Sequence, residues 1–432
     1  MDIFLDSVGC CLNQSEIETF ARQFRAAGHR MVSSPDQADL VVVNTCAVTA
    51  QAVSDSRQKI RSAGRAGAGQ IVATGCWATL NPEQVSTLPS ISHVFPNLSK
   101  DYMVADLLQV PPETFDLELI EREPLPGARS RTRAFIKVQD GCDNRCTFCV
   151  TTLARGHSRS RSIAEVLGDV NAAQRGGAQE VVLTGVHLGS WGGDFTPKQH
   201  LRQLIQAILV GTDIPRLRLS SLEPWDLDSG FFSLWEDRRL CRHLHLPLQS
   251  GCATTLRRMA RKTTPQSFAR LVEAARRAIP DVAITTDVIV GFPGEDSLEF
   301  ADSLAFIKQM QFSGGHVFSY SARPGTAAAQ MPGQVPIQEI KQRNAAVRSL
   351  LAESAVTYQK YFIGRQVEVL WESLTALDHE GWELSGLSDN YLRVSARTAE
   401  QLWNQLTPVR LTTLTSLGLQ AHILGTSPAR VG

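Results

Sequence analysis

The sequence lacks an excess of charge of either sign and lacks any long hydrophobic run. Its 432 residues include 43 Lys and Arg against 43 Asp and Glu, so a uniformly basic nucleic-acid binder is excluded and such binding needs a local basic patch. The most apolar stretch, Leu40–Val43, ends at Asn44, which excludes a membrane-spanning helix of about 18 apolar residues. The first residues carry no basic segment before an apolar core, so we expect no signal peptide and a cytoplasmic location.

Cysteine is also scarce. Nine cysteines in 432 residues, an odd number, exclude a disulfide scaffold. In a reducing compartment, clustered cysteines indicate metal binding or catalysis rather than cross-links. Three of the nine lie within eight residues of one another, and three others recur at intervals of about thirty residues.

The first 110 residues alternate apolar strands with helices. Fully apolar strands separated by helices indicate a parallel sheet covered on both faces, so residues 1–110 form a predicted N-terminal α/β domain. Four prolines and five acidic residues mark residues 111–130 as a linker. The predicted strands are Ile3–Ser7, Leu40–Asn44 and Gln70–Thr74, and the predicted helices are Ser15–Ala27, Ala52–Ala63 and one that starts at Pro82.

The alternation resumes in residues 131–360, where six strand–helix units are predicted. Six units are two fewer than a closed (β/α)8 barrel needs, so the pattern favours an open (β/α)6 partial barrel, with the full barrel as the competing interpretation. The predicted strands are Ala134–Gln139, Glu180–Thr184, Arg216–Ser220, His243–Leu246, Ala283–Val290 and His316–Tyr320, and the helices include Ile163–Arg175, Leu201–Val210, Gln266–Ala278 and Ser297–Met310.

The C-terminal segment, residues 363–428, changes character again. Five short strand candidates separated by turns predict a small β-barrel. From residue 361 onward the chain has five Arg and no Lys against seven Asp and Glu, so this part is net acidic. The predicted strands are Gln366–Leu370, Trp382–Leu387, Tyr391–Ser395, Val409–Thr413 and Ala421–Leu424.

The most specific pattern is Cys142-x3-Cys146-x2-Cys149, directly after the first predicted strand of the second domain. This position puts the cysteines on a loop at the carboxyl end of the barrel strands, where active sites of such folds lie. Three thiolates can bind three irons of a 4Fe–4S cluster and leave one iron open to a ligand. A zinc site is the alternative, but structural zinc requires four ligands and only His157 is near.

Cys10, Cys46 and Cys76 form a second group, each just past a predicted strand of the N-terminal sheet. Right-handed crossovers put the carboxyl ends of parallel strands on one edge of the sheet, so we expect three thiols to converge on one metal centre there. Buried structural cysteines are the alternative interpretation. Cys11 competes with Cys10 for the first position, and Cys10 is preferred because, like Cys76, it follows a glycine.

These motifs resemble two related groups of enzymes. The three-cysteine loop resembles that of the radical S-adenosylmethionine enzymes. Gly9-Cys10, Asn44-Thr45-Cys46 and Thr74-Gly75-Cys76 resemble the N-terminal domain of the methylthiotransferases. The resemblance implies two 4Fe–4S clusters, two uses of S-adenosylmethionine (as methyl donor and as radical source) and a C-terminal RNA-binding barrel of the TRAM type. Further segments similar to that family are Ala154–Gly156, Arg159–Arg161, His245–Gly251 and Gly291–Glu295.

Within the methylthiotransferases, four segments resemble most the branch that acts on threonylcarbamoyladenosine. This implies an enzyme that replaces the hydrogen at C2 of N6-threonylcarbamoyladenosine, beside the anticodon of tRNA, with a methylthio group. It also implies an electron donor such as flavodoxin or ferredoxin and leaves the sulfur source open. The alternative substrates are isopentenyladenosine in tRNA and an aspartate of a ribosomal protein, and the open iron disfavours a simple electron carrier. The four segments are Gln139–Cys142, Leu183–Leu188, Leu219–Pro224 and Thr285–Val290.

The same resemblance implies cofactor-binding positions near the carboxyl ends of the barrel strands. They would contact the carboxylate, amine or ribose of S-adenosylmethionine, and each has a purely structural role as the alternative. A carboxylate inside an apolar strand is costly unless it is paired or faces the lumen, which is the argument for the last residue of the group. The candidates are Phe148 (against the adenine), Thr184, Gly185, Ser221, Glu223 and Asp287.

Basic residues border the same predicted loops. Seven Arg and one Lys face two Asp between Arg129 and Arg161, and four more basic residues follow from Arg257 to Lys262. Such a rim suits the phosphate backbone of RNA, with a solvated surface as the alternative. The RNA-binding candidates are Arg155, Arg159, Arg161, Lys262 and Arg323, of which Lys262 and Arg323 are also candidates for the carboxylate of a threonylcarbamoyl group.

Overall fold

The computed structural model describes residues 1–115, 132–378 and 381–425. An N-terminal parallel sheet, a central open barrel and a closed C-terminal β-barrel follow one another, which confirms the predicted α/β fold class. The predicted linker, residues 111–130, lies outside the described residues from 116 onward. Within the described ranges, no helix combines the length and the apolar character that crossing a membrane requires.

The N-terminal domain is a five-stranded parallel sheet with helices on both faces. Its elements are β1 (Asp2–Ser7), α1 (Cys11–Ala26), β2 (Arg30–Met31), β3 (Leu40–Thr45), α2 (Ala50–Arg65), β4 (Gln70–Gly75), α3 (Cys76–Leu80), α4 (Pro82–Ser86), β5 (Ile91–Phe95) and α5 (Met103–Leu108). The strand order is β2-β1-β3-β4-β5, and all six residues of β3 are buried. The sequence analysis missed β2 and β5, because one has two residues and the other is partly exposed at the sheet edge.

The central domain is the open six-stranded barrel that the sequence predicts. Its elements are β6 (Arg133–Lys137), β7 (Gln139–Asp140), α6 (Thr151–Arg155), β8 (Arg159–Ser160), α7 (Ile163–Arg175), β9 (Glu180–Thr184), α8 (Leu201–Gly211), β10 (Arg216–Leu219), β11 (His243–His245), α9 (Ala253–Arg258), α10 (Pro265–Ala278), β12 (Ala283–Val290), α11 (Ser297–Met310), β13 (Gly314–Ser319) and α12 (Ile337–Lys360). Two parallel sheets, β10-β9-β6 and β11-β12-β13, form its wall. Single bridges, Leu217 to Leu240 and Ser221 to His245, join the two sheets.

Local sequence signals set the helix ends in this barrel. The Ser162 side chain caps α7 and shares a capping box with Glu165. Thr264 caps α10, and Pro265 occupies its first turn, where its missing N–H costs nothing. Both helices therefore start within one residue of the predicted position.

The C-terminal domain closes on itself as a five-stranded barrel. Its strands are β14 (Gln366–Asp378), β15 (Gly381–Ser388), β16 (Arg393–Thr398), β17 (Leu406–Thr415) and β18 (Gly418–Ile423). They follow the order β14-β15-β16-β18-β17, and closure removes the free edges of the sheet. Trp371 fills the interior, and its indole N–H donates to Thr407 Oγ1 at 2.6 Å.

This small barrel covers the amino-terminal end of the central barrel. Arg216, the first residue of β10, donates from Nη1 to the Leu387 carbonyl at 3.1 Å. The Tyr391 ring stacks on His243, at the start of β11, with 4.1 Å between ring centroids. Because the C-terminal domain occupies this end, the carboxyl ends of the strands and the cysteine loop lie at the opposite end.

Candidate active site

The first cysteine set (Cys142, Cys146 and Cys149) lies on the loop between β7 and α6, at the carboxyl end of the central strands. Strand β7 pairs with β8 in a short antiparallel ladder, which closes this loop at its base. Gly141 has a φ of +70°, and a Cβ added there would lie 1.9 Å from the carbonyl oxygen of His157. Glycine is therefore required for the chain to enter the loop.

Each sulfur of the first cysteine set accepts a hydrogen bond. The donor–acceptor pairs are the Asn144 N–H to Cys142 Sγ at 3.4 Å, the Thr151 N–H to Cys149 Sγ at 3.4 Å, and Arg261 Nη1 to Cys146 Sγ at 3.7 Å. Hydrogen bonds to sulfur are among the features that set the reduction potential of an iron–sulfur cluster. The three thiols, each with a hydrogen-bond donor at its sulfur, therefore fit a 4Fe–4S cluster.

The zinc alternative is not supported by the geometry. The His157 Nδ1 atom pairs with Asp143 Oδ1 at 2.8 Å, and the histidine side chain is 95% exposed rather than turned toward the thiols. Across the described ranges, no three His, Cys, Asp or Glu side chains converge closely enough to hold one metal ion. The thiolates of a 4Fe–4S cluster bind separate irons, so they stand further apart than the ligands of a single ion.

Arg261 joins the first cysteine set to the segment that follows β10. Its Nη2 atom lies 2.5 Å from Glu223 Oε2, and the guanidinium lies 4.4 Å from the centre of the Trp225 ring. Burial raises the pKa of the Cys146 thiol, while the Arg261 charge opposes that shift. The sequence analysis assigned Arg261 to the basic rim, but its side chain is 2% exposed and serves the cysteine loop.

His187 is a second charged contact of this loop that the sequence analysis missed. Its Nε2 atom lies 2.6 Å from Asp226 Oδ2, and its Nδ1 atom lies 3.2 Å from Asn144 Nδ2. Although burial opposes the charged form, hydrogen bonds to Asp226 and Cys142 raise the pKa of His187 to about 9. A positive ring therefore lies beside Cys142 at neutral pH. Its position just after β9, at the carboxyl end of the barrel, is the sequence feature that could have identified it.

Three buried polar atoms, two directly after β10 and β13 and one inside β12, have no hydrogen-bond partner among the described residues. They are Ser220 Oγ, Asp287 Oδ1 and Tyr320 Oη. The other carboxylate oxygen of Asp287 lies 3.2 Å from His245 Nε2, so this acid is paired, as its place inside an apolar strand requires. Buried polar atoms usually have a partner, and a bound ligand is one group that could supply it here. The amine, carboxylate and hydroxyl groups of S-adenosylmethionine offer matching donors and acceptors.

The remaining residues predicted to bind the cofactor differ in burial and in what they contact. Thr184 ends β9 and is buried, and Gly185 follows it in close contact with Gln139, since an added Cβ would lie 2.9 Å from Oε1 of that residue. Ser221 is exposed at the bridge between the two sheets. The Phe148 ring packs edge-to-face on the Phe292 ring, with 6.4 Å between centroids. This packing contact is the structural role that was the alternative to binding adenine.

The second cysteine set (Cys10, Cys46 and Cys76) follows three adjacent strands, β1, β3 and β4. Gly9 has a φ of +103°, and a Cβ added there would lie 2.8 Å from Cys46 Sγ, so glycine lets the first loop press against that thiol. The Cys76 sulfur accepts a hydrogen bond from Asn97 Nδ2 at 3.7 Å. The structure therefore brings the three thiols to one edge of the sheet.

The thiols of the second cysteine set influence one another. Burial raises the pKa of Cys46 to about 11, and Cys10 and Cys76 act in the same direction. A thiol in such surroundings loses its proton only to a cation that compensates the charge, as a bound metal does. Cys11 opens helix α1, whereas Cys10 is the residue whose charge acts on Cys46, which supports Cys10 as the first ligand.

Buried charges lie between the two cysteine sets. Arg155, predicted to contact RNA, is 2% exposed and lies between the N-terminal sheet and the central barrel. Its Nη1 atom is 2.9 Å from Glu16 Oε1 and 3.0 Å from Asp140 Oδ1, and Lys100 Nζ is 2.7 Å from Glu16 Oε2. The prediction for Arg155 is therefore wrong, because the residue is engaged inside the protein by Glu16, 139 positions away in the chain.

The other residues predicted to contact RNA differ in whether their side chains are exposed and in whether they are already paired with a carboxylate. Arg161 is paired with Asp169 at 2.6 Å, so it is not free for a phosphate and its assignment is also corrected. The Arg159 side chain is 44% exposed, and Lys262 is exposed. The Nε and Nη2 atoms of Arg323 are shielded from solvent without a partner among the described residues. The free basic rim is thus smaller than the sequence predicts.

Comparison with known proteins agrees with this arrangement. Residues 2–96 match the uncharacterized protein family UPF0004, and residues 136–307 match the radical SAM superfamily. The threonylcarbamoyladenosine tRNA methylthiotransferase MtaB of Bacillus subtilis is 33% identical, covering 94% of this chain and 92% of the relative. The tRNA-2-methylthio-N(6)-dimethylallyladenosine synthase of Caldicellulosiruptor saccharolyticus is 32% identical, covering 84% of this chain and 80% of the relative.

Solved structures resemble the fold. The radical S-adenosylmethionine methyltransferase TsrM from Kitasatospora setae superposes with a TM-score of 0.59 at 16% identity, covering 76% of this chain and 75% of that chain. At this identity the likeness concerns the arrangement of the chain and not its substrate.

Proposed function

This chain belongs to the radical S-adenosylmethionine methylthiotransferase family, and we propose that it replaces the hydrogen at C2 of N6-threonylcarbamoyladenosine in tRNA with a methylthio group. Membership implies S-adenosylmethionine, a 4Fe–4S cluster and a tRNA substrate. The observation that carries the proposal is the presence of two cysteine sets on either side of one buried domain interface. One set serves radical formation, and the other serves transfer of the methylthio group.

The first cysteine set would hold the cluster that binds S-adenosylmethionine. When bound, this cluster supplies the electron that cleaves S-adenosylmethionine to a 5′-deoxyadenosyl radical, the species that removes the substrate hydrogen. The protein's own groups support the thiolates through the N–H donors described above. Arg261 and His187 add positive charge at Cys146 and Cys142, which stabilises the anionic thiolate form.

The polar wall of the barrel would bind and orient S-adenosylmethionine. Ser220, Asp287 and Tyr320 each present a buried oxygen without a partner among the described residues. Glu223, held by Arg261, presents a carboxylate to the same wall and suits a hydroxyl or an amine. Orienting the cofactor against the substrate and excluding water are the protein's contributions, while the cofactor carries the difficult step.

A second 4Fe–4S cluster on the second cysteine set is the finer part of this proposal. When bound, it supplies the site at which sulfur receives a methyl group from a second S-adenosylmethionine molecule. The protein holds the thiols through Asn97, whose Nδ2 atom contacts both Cys76 Sγ and the Ala154 carbonyl. Arg155 donates to Asn13 Oδ1 at 2.8 Å, and Cys10 Sγ lies 4.0 Å from the same oxygen. Through Asn13, these contacts place the buried positive charge of Arg155 behind Cys10, a thiol that becomes anionic when it binds iron.

The surface around the second cysteine set suits an extruded base. Val48, Leu98 and Leu153 are 56%, 67% and 54% exposed, and each lies one or two positions from a residue of the site. We propose that these three exposed apolar side chains contribute to one binding surface. Lys262 is exposed and Arg159 is partly exposed, and we propose that they contact phosphates of the anticodon loop. Reduction of the clusters would come from a flavodoxin or a ferredoxin, as the family resemblance implies.

Dimethylallyladenosine is the second candidate substrate, because relatives named for it match this chain over most of its length. The two candidate groups differ in charge, since only the threonylcarbamoyl group carries a carboxylate. Nucleoside mass spectrometry of tRNA from cells with and without the gene tests both. We expect deletion to convert the methylthio form of threonylcarbamoyladenosine to its precursor, and the wild-type gene to restore it. An unchanged level of that nucleoside would overturn the proposal, and loss of methylthio-dimethylallyladenosine instead would assign the second candidate.

A further inference from the structure

Arg323 carries a pair of donors that the protein leaves unused. It follows β13, and its Nε and Nη2 atoms are shielded from solvent without a partner among the described residues. These two atoms form one side of the guanidinium, the fork that receives both oxygens of a carboxylate. The residue is half-buried, but these two donors have neither solvent nor an acceptor in the described part of the protein, so an anion is expected to bind there when the site is filled.

The Arg323 loop lies between the two cysteine sets. The Ala328 N–H donates to the Thr147 carbonyl, inside the first cysteine loop, at 2.8 Å. A Cβ added at Gly325 would lie 3.0 Å from Leu153, one of the exposed apolar residues beside the second cysteine set.

Two other arginines near the cysteine sets already have a carboxylate partner. Arg155 is paired with Glu16, and Arg261 is paired with Glu223. The fork of Arg323 is therefore the one that remains available for an incoming anion, among these three arginines.

We propose that Arg323 binds the carboxylate of the threonylcarbamoyl group and selects this nucleoside over its apolar analogues. The inference rests on the proposed function, because it takes the substrate base to lie between the two cysteine sets. A dimethylallyl group offers no acceptor to this fork and would leave its two shielded donors without a partner. A site built around a polar group rejects the analogue that lacks it far more strongly than an apolar slot does.

The test compares binding of anticodon stem-loop RNAs to the reconstituted holoenzyme. One RNA carries N6-threonylcarbamoyladenosine and the other carries unmodified adenosine at the same position. Arg323→Met should weaken binding of the modified RNA by about ten- to hundred-fold and leave binding of the unmodified RNA unchanged. Arg323→Lys keeps the charge but loses the two-donor fork, so its affinity for the modified RNA should lie between those of the wild type and Arg323→Met. Iron content should stay at the wild-type level in both variants.

A matched control is Lys262→Met, which removes an exposed cation. This substitution should weaken the binding of both RNAs by the same factor, as the loss of a phosphate contact does. The same equal loss in Arg323→Met would assign Arg323 to a phosphate and overturn the inference, and a loss of iron would assign it to the second cysteine set instead. A wild-type enzyme that binds both RNAs equally would also overturn it. If the wild type prefers the modified RNA but forms no methylthio product, the proposed function fails while the role of Arg323 stands.

Discussion

Arg155 and Glu16 form an ion pair, with 2.9 Å between Nη1 and Oε1, that is buried between the N-terminal sheet and the central barrel. Arg155 belongs to α6, the helix that follows the first cysteine loop, and Glu16 belongs to α1, the helix that follows Cys10. The pair therefore ties the loop of one cysteine set to that of the other. A reaction that uses two metal centres on one substrate requires such a fixed separation.

Removing one partner of this pair should destabilise the protein strongly. Arg155→Met leaves Glu16 buried with less compensation, which costs about 3–5 kcal/mol in comparable buried pairs. We expect a loss of that order in the free energy of unfolding, measured by chemical denaturation. Arg277→Met, which breaks an exposed pair with Glu273, should cause no measurable change. Similar small changes in both variants would contradict a structural role for the buried pair.

The two cysteine sets should bind iron independently. Anaerobic reconstitution is expected to give about eight irons per chain, four for each cluster. Replacing the first cysteine set with alanine should halve the iron and abolish cleavage of S-adenosylmethionine, since the open iron is lost. Replacing the second cysteine set should also halve the iron but leave cleavage detectable. Full iron content in either triple variant would show that the set in question is not a ligand set.

A single substitution should separate Cys10 from its neighbour. Cys10→Ala is expected to lower the iron content of the second cluster, because this residue lies with Cys46 and Cys76. Cys11→Ala, at the first position of helix α1, should keep the wild-type iron content and is the matched control. The reverse result would move the first ligand from Cys10 to Cys11.

Arg261 should influence the reduction potential of the first cluster. Its Nη1 atom donates to Cys146 Sγ at 3.7 Å, and a positive charge at this distance favours the reduced state. Arg261→Met is therefore expected to lower the potential by roughly 60 mV, which corresponds to a tenfold change in a one-electron equilibrium. Potentiometric titration followed by electron paramagnetic resonance measures this shift. A potential equal to that of the wild type would limit Arg261 to a structural role.

The basic residues that remain exposed should contribute to RNA affinity through charge alone. Replacing Arg159 and Lys262 with methionine is expected to weaken tRNA binding, because fewer phosphates are neutralised in the complex. The slope of log K against log salt should become shallower by roughly one unit for each phosphate that loses its cation. Cleavage of S-adenosylmethionine without RNA should persist. A salt dependence that does not change would remove both residues from the interface.

The fold was largely predictable from the sequence because its signals are local. Apolar strands such as Leu40–Thr45 are buried along their whole length, and helix α7 is bounded by a capping box that the sequence displays. The position of the first cysteine set was predictable because its three members occupy one loop. The position of the second was predictable because parallel topology aligns the ends of neighbouring strands, while iron binding by both sets stays a prediction.

The surroundings of the site could not be predicted in the same way. Whether an arginine is exposed depends on which distant element packs against it. Arg155 is engaged by Glu16, 139 positions away, and Arg261 by Glu223, 38 positions away. The sequence pattern favours a solvent-facing rim for both arginines, whereas tertiary packing turns both inward.

The most direct test of the account is methylthiolation by the purified, reconstituted enzyme. The assay supplies S-adenosylmethionine, a reductant and tRNA bearing either N6-threonylcarbamoyladenosine or dimethylallyladenosine, and mass spectrometry of the nucleosides detects the product. We predict a methylthio group at C2 of threonylcarbamoyladenosine, with kcat/KM at least about tenfold above that for the dimethylallyl substrate, since a polar pocket rejects an apolar analogue. Equal or faster modification of dimethylallyladenosine, or no methylthio product from fully iron-loaded enzyme, would contradict the account.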